Sequence, residues 1–178
     1  MMRALFLSII LILNGCTNST VESAKPTFES CETLDSGVNE LSSIEIPCLN
    51  PNGISKTKID LAKLQGPLVI NVWGSWCYPC TQEIPYFVKL AKLNKVSILG
   101  IDVEEKRPQD ALKFIKQEGM TWPQLYDQES QTRTAFGMGV PVTWFLSADG
   151  KIAYKKIGQI HSERELKDLV QKYLKVQL

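Results

Sequence analysis

Cys77 and Cys80 stand two residues apart in the stretch Trp73-Gly74-Ser75-Trp76-Cys77-Tyr78-Pro79-Cys80. Thiols at that spacing can form a structural disulfide, half of a metal site or a redox couple. A disulfide closing so small a loop removes little entropy from the unfolded chain and adds little stability. A structural zinc site takes four ligands. The chain has a single histidine, His161, far along the sequence beside a helix start, where a solvated turn residue is its plainer role. A redox couple needs one thiol that ionises readily and a second within its reach. An ordinary cysteine titrates near ~8.5, and at helix N-termini and in such motifs the value falls to about 3.5–7.5. Cys77 falls where an apolar strand ends and a helix begins, so free N–H groups and the positive end of the helix dipole favour its thiolate. Cys80, in the same turn, can then attack a mixed disulfide on Cys77 and release the exchanged product. Trp76 and Pro79 are apolar neighbours that limit water. Beside a strand–helix–strand pattern, the pair reads as a thiol–disulfide redox centre with Cys77 and Cys80 as the catalytic groups.

The strand that delivers Cys77 is Pro67 to Trp73, an apolar, β-branched run bounded by Gly66 and Gly74. It reads as a central strand covered on both faces. A helix is expected from about residue 77 to 92, kinked by Pro85. Upstream, Asn52-Gly53 between Ile46 and Ile54 signals a hairpin. Val96 to Asp102 is the next strand, and Pro108 and Gly119 bracket a helix over about 108–117. From there to Gly139 a loop with one short helix, about 129–136, is expected. Strands over 142–147 and 151–157 follow, joined by Ala148-Asp149-Gly150. Ser162 and Glu165 form a capping box, after which Leu166, Leu169, Val170, Tyr173 and Leu174 recur at helical spacing. Strands alternating with helices imply parallel pairing, while the closing hairpin is antiparallel. The expected fold class is α/β, a mixed central sheet with helices on both faces.

The 178 residues suffice for one domain, and 20 Lys plus Arg against 19 Asp plus Glu leave a net charge of +1. No basic stripe is present, which argues against a nucleic-acid partner. Arg3 followed by the apolar run Ala4 to Leu13 reads as a secretion signal, too short for a membrane span of about 20 residues. Leu13-Asn14-Gly15-Cys16 resembles the bacterial lipobox, in which the cysteine is lipidated and becomes the mature N-terminus. An ordinary signal peptide cut nearby is the alternative. Lipidation of Cys16 leaves Cys31, Cys48, Cys77 and Cys80, an even set suited to two pairs outside the cytosol. Residues 17 to about 43 are polar and aperiodic and read as a tether. A Cys31–Cys48 disulfide would pin its end to the first strand and contribute roughly 3 kcal/mol. The rival, a second redox-active cysteine, has no aromatic residue or helix start to support it. The expected organisation is a signal peptide over 1–15, a lipid-anchored tether over 16–43 and the folded domain over 44–178.

The stretch VINVWGSWCYPCTQEIPYF, residues 69–87, resembles the signature of the TlpA/ResA-like thioredoxins, membrane-anchored thiol–disulfide oxidoreductases of the bacterial envelope. The similarity covers about residues 44–176. It includes the early hairpin, the pattern W-x-x-W-C-x-P-C-x-x-E-x-P, the strand ending Gly100-Ile101-Asp102, and Gly139-Val140-Pro141. The resemblance implies a thioredoxin-like fold with an N-terminal β-hairpin, residues 103–135 matching the helix this branch inserts. It implies Cys77 as the exposed nucleophile and Cys80 as the resolving thiol. It also implies a cis Pro141 against the disulfide, with Val140 offering backbone hydrogen bonds to an extended substrate and Trp76 and Pro79 shaping the docking surface. Glu83 matches an acid characteristic of the branch and is a candidate acceptor for the proton of Cys80; a solvated helix glutamate is its plain alternative. Thioredoxin itself has a buried aspartate where this chain has Asn71, which cannot take up a proton.

The same resemblance implies an enzyme on the extracytoplasmic face of the cell membrane, monomeric and lipid-anchored. In the reductive direction its partners would be cysteine-containing exported proteins, among them apocytochrome c during cytochrome c maturation, with a membrane thiol-electron transporter as donor; the reverse role, as oxidant, uses the same fold and motif. No cofactor and no metal is expected, because the two sulfurs carry the electrons. Two other classes fit less well. An envelope copper chaperone on this fold uses C-x-x-x-C with a distal histidine, a wider spacing than here. A thiol peroxidase wants Thr or Ser near a single cysteine backed by arginine; Ser75 is present, but no arginine is near it in sequence.

Overall fold

The computed structural model describes residues 28–137 and 139–178. The expected secretion signal and Cys16 lie outside the described residues. Seven strands are present: β1 (Glu45–Asn50), β2 (Gly53–Asp60), β3 (Leu68–Trp73), β4 (Ser97–Val103), β5 (Gln124–Asp127), β6 (Val142–Leu146) and β7 (Ile152–Ile157). They form one sheet in the order β2-β1-β5-β4-β3-β6-β7. β3 pairs in parallel with β4, and β4 with β5, whereas β6 runs antiparallel to both β3 and β7. The helices are α1 (Tyr78–Leu93), α2 (Pro108–Glu118), α3 (Arg133–Phe136) and α4 (Glu163–Leu169), the last continuing into a π turn over Val170–Leu174.

The elements follow from their residues. All six side chains of β3 are buried, as a central strand covered on both faces requires. Pro108 opens α2, and Gly119 ends it in the left-handed conformation at φ 69°, the residue type that tolerates that geometry. The sheet separates two apolar clusters. Val69 and Trp73 meet Ile84 and Phe87 of α1, Phe114 and Ile115 of α2, and Leu166 and Val170 near the C-terminus. On the opposite face Ile70, Val72, Leu99 and Ile101 meet Leu61, Leu64 and Phe136 of α3. Full burial of such side chains contributes roughly 1.5–3 kcal/mol each.

Two expectations are corrected. First, the stretch expected to hold only a loop and a short helix contains β5, which pairs with β4 on one side and antiparallel with β1 on the other. Four residues, Gln-Leu-Tyr-Asp, are too few to display a period. Through β5 the N-terminal hairpin is joined to the strands that carry the cysteines. Second, the tether expected to run to residue 43 is folded onto the domain from Phe28. Phe28, Cys31 and Leu41 are buried. The Glu29 N–H donates to the Thr121 carbonyl at 2.9 Å and the Gly37 N–H to Lys63 at 2.7 Å. Asn39 Nδ2 donates to the carbonyls of Leu61 and Leu64. Polar composition misled here, because the three apolar anchors are too widely spaced to make a periodic signal. Cys31 and Cys48 are bonded in the structure, with Cα atoms 5.8 Å apart.

Candidate active site

β3 ends at Trp73, and the chain turns through Gly74-Ser75-Trp76 into α1. Trp73 is anchored twice. Its ring stacks on Phe114 at 5.0 Å, and its Nε1 donates to Gln124 Oε1 at 3.1 Å. Gln124 reaches it by lying across Gly100 of β4, where any Cβ would overlap the glutamine side chain. The turn itself is held from the β4–α2 loop. Ser75 N–H donates to the Glu105 carboxylate at 3.1 Å, and Trp76 Nε1 to the Val103 carbonyl at 3.3 Å. Glu105 was not singled out from the sequence; its only signal there is an acidic pair just beyond a strand end.

Cys77 is the N-cap residue of α1 and is bonded to Cys80, Cα to Cα 5.3 Å. The Cys80 N–H points at Cys77 Sγ from 3.2 Å, and the Thr81 N–H reaches the Cys77 carbonyl at 3.2 Å. The sulfur of Cys77 therefore faces one first-turn N–H group at the positive end of α1, where developing negative charge is stabilised. Access is narrower than expected for an exposed nucleophile: Cys77 keeps 4% of its surface and Cys80 none. Only Cys77 is open to attack from outside.

Several apolar side chains on this side of the molecule are exposed. Trp76 and Tyr78 are exposed, as is Ile157 at the end of β7, and Pro79 is also at the surface. Ile157 lies opposite Val142 in the β6–β7 register, which places it beside Pro141. The Val140–Pro141 bond is cis, and the Pro141 carbonyl accepts the Gly158 N–H at 3.0 Å. Gly139 precedes it at φ 92°, backbone that an L side chain resists. A groove of about 60 Å³ runs from Trp76 to Val140 over Val72, Val103 and Phe136. A cavity of about 320 Å³ lies at the other end of the sheet near Pro67 and Trp122 and is lined by no cysteine.

Glu83 is the largest departure from its plain alternative as a solvated helix residue. It is fully buried one turn after Cys80. Asn71 Nδ2 donates to Oε1 at 2.8 Å, and the Ile160 N–H donates to Oε2 at 2.8 Å. Burial pushes the carboxyl up to about 7, against the opposing pull of those two hydrogen bonds and of the Lys156 charge. A carboxyl poised there can exchange a proton at neutral pH. Asn71, read as unable to accept a proton, is instead the donor that orients the group which can. Asp102 is a second buried carboxyl, next to Trp73 in the sheet register, with neither oxygen hydrogen-bonded. Burial, then the nearby Glu105 and Asp127, hold it well above the usual carboxylate range.

His161 is exposed, its N–H bound to the Glu165 carboxylate at 2.8 Å. Among the described residues no cluster of His, Cys, Asp or Glu suits a metal ion, and no helix is long and apolar enough to cross a membrane. Arg107 and Arg133 are paired with Asp110 and Glu104.

The AhpC/TSA family model matches residues 43–155. The chain is 31% identical over 173 residues to the thiol-disulfide oxidoreductase ResA of Bacillus thuringiensis, covering 94% of this chain and 91% of that one. It is 30% identical over 110 residues to the thiol:disulfide interchange protein DsbE of Allochromatium vinosum, 59% of this chain and 60% of that one. A solved thio-disulfide isomerase from Thermus thermophilus superposes with a TM-score of 0.61 at 22% identity, over 79% of this chain and 98% of that chain, which shows the shared fold. The thioredoxin-like architecture, the cysteine pair at the mouth of α1 and these likenesses agree: the chain belongs to the AhpC/TSA family and is a thiol–disulfide oxidoreductase.

Proposed function

We propose that this enzyme works outside the cytoplasm, held to the cell membrane by a lipid on Cys16 after removal of residues 1–15, and reduces disulfides of exported proteins. Apocytochrome c during cytochrome c maturation is the substrate we favour, with a membrane thiol-electron transporter as donor and a monomer as the working unit. In this reading Cys77 and Cys80 are the catalytic thiols and Glu83 the proton acceptor. Trp76, Pro79, Val140 and Pro141 receive the substrate, and the Cys31–Cys48 disulfide is structural. The single observation that carries the reading is a bonded cysteine pair of which only Cys77 reaches solvent.

The thiolate of reduced Cys77 attacks one sulfur of a substrate disulfide, and the other sulfur leaves as a thiolate that takes a proton from water. Cys80 gives its thiol proton to Glu83, and its thiolate attacks Cys77 Sγ. The Cys77–Cys80 bond re-forms and the second substrate thiolate departs. The substrate gains two electrons, the enzyme loses two, and a dithiol donor restores the enzyme. Glu83 with its midpoint about 7 matches a proton acceptor working near neutral pH.

With dithiothreitol as donor, the protein is expected to speed the reduction of insulin, read as precipitation of its B chain. A rate equal to dithiothreitol alone, or a tight copper(I) complex of the reduced protein without insulin reduction, would overturn the proposal.

A further inference from the structure

Asn71, which binds Glu83 through Nδ2, has its buried Oδ1 without a hydrogen-bond partner, and the buried Oγ1 of Thr143 has none either. They belong to residues directly opposite each other in the antiparallel β3–β6 pairing. Their neighbours on each strand, Val69 and Trp73 on β3 and Phe145 on β6, all belong to the cluster packed against α1. Alternation along the strands therefore puts Asn71 and Thr143 on that same face. Opposed side chains of an antiparallel pair have Cβ atoms about 4.5–5.5 Å apart, a separation that a hydrogen bond between hydroxyl and amide oxygen can span once Thr143 rotates about χ1. Thr143 Oγ1 is the only one of the two that can donate.

We propose that Thr143 is a positioning residue for the Glu83 proton: its hydroxyl donates to Asn71 Oδ1 and so holds the Asn71 amide with its N–H side toward the Glu83 carboxyl. The two ends of an asparagine amide have nearly the same shape, and neighbouring hydrogen bonds decide which way it faces. With Nδ2 toward Glu83, as observed at 2.8 Å, the amide favours the carboxylate. Turned over, its oxygen would accept from the protonated acid and favour that form. An apolar side chain at 143 removes the restraint, gives the protonated form a favourable partner and raises the midpoint. Other charged groups that bear on Glu83 are Lys156 on β7, which favours the carboxylate, and Glu165 on α4, which opposes it. The Ile160 N–H contributes from the loop before α4. None of these is changed by substitution at 143.

The inference rests on the reading of Glu83 as proton acceptor for its purpose, but its test does not. The Glu83 side-chain carboxyl is followed by ¹³C NMR as a function of pH in the wild type, Thr143→Val and Thr143→Ser. The valine variant is expected to titrate higher by roughly 0.5–1 unit, the equivalent of one lost hydrogen bond, and the serine variant to return to the wild-type midpoint. A valine variant that titrates at or below the wild type overturns the inference, as does a serine variant that behaves like valine. Thr143→Ala carries the same test if valine does not fold. Insulin reduction, measured alongside, reports separately on the activity.

Discussion

Cys80→Ala is expected to accumulate mixed disulfides through Cys77, and Cys77→Ser is expected to form none and to lose insulin reduction down to the level of dithiothreitol alone. The asymmetry follows from burial. Cys80 has no solvent-accessible surface, whereas Cys77 keeps a small opening between its exposed sequence neighbours Trp76 and Tyr78. A substrate disulfide can meet only the outer sulfur. With Cys80 removed, the first exchange still occurs, but no internal thiol is left to break the Cys77–substrate bond. The trapped species is detected as a mass increase that dithiothreitol reverses. Comparable trapping through Cys80 in the Cys77→Ser protein would show that the inner thiol is reachable, which contradicts the assigned order of attack.

Glu83→Gln is expected to remove most of the pH dependence of both stability and product release. Glu83 is raised from 4.5 to about 7 in the folded protein. A group raised on folding contributes stability that is fully present below the unfolded value and is lost as pH rises through the folded one. The oxidised wild type should therefore lose about 3 kcal/mol of unfolding free energy between pH 4 and pH 8 through this residue. The glutamine variant keeps one acceptor oxygen, enough for only one of the Asn71 and Ile160 N–H groups, so it should be less stable overall, but it has no proton to lose and its stability should be flatter over that window. Release of a mixed disulfide by Cys80 should rise through about pH 7 in the wild type and fall about a hundredfold in the variant, the low end of general-base effects. Urea midpoints at pH 5 and pH 8 read the first effect, and stopped-flow release of a fluorescent thiol reads the second. Equal pH slopes in the two proteins would remove Glu83 from the proton path.

How much of this was legible beforehand depended on whether the determinant was local. The cysteine pair, the end of β3 and the start of α1 are adjacent in sequence, so residue type and spacing declared them. The α2 boundaries were marked by Pro108 and Gly119, and α4 by Ser162, whose side chain accepts the Glu165 N–H at 3.0 Å. The family resemblance singled out Glu83, three residues after Cys80, but its burial could not be read from the sequence. That burial is completed by Ile160, 77 residues away, and by Asn71, twelve residues away on β3. The packed N-terminal segment escaped notice for the same reason, since Phe28, Cys31 and Leu41 find their partners in distant elements. Thr143 and Glu105 carried no motif, and only the sheet register and a loop contact brought them to the site.

The central claim is that the first turn of α1 holds the sulfur of Cys77 partly ionised at neutral pH. The rate of iodoacetamide alkylation of Cys77 in the reduced protein, followed from pH 4 to pH 10, measures it directly. A midpoint at or below about 7.5, within the range for helix-capping cysteines, is the expected result. A midpoint at about 8.5 or higher, that of a cysteine in an unstructured peptide, would contradict the account.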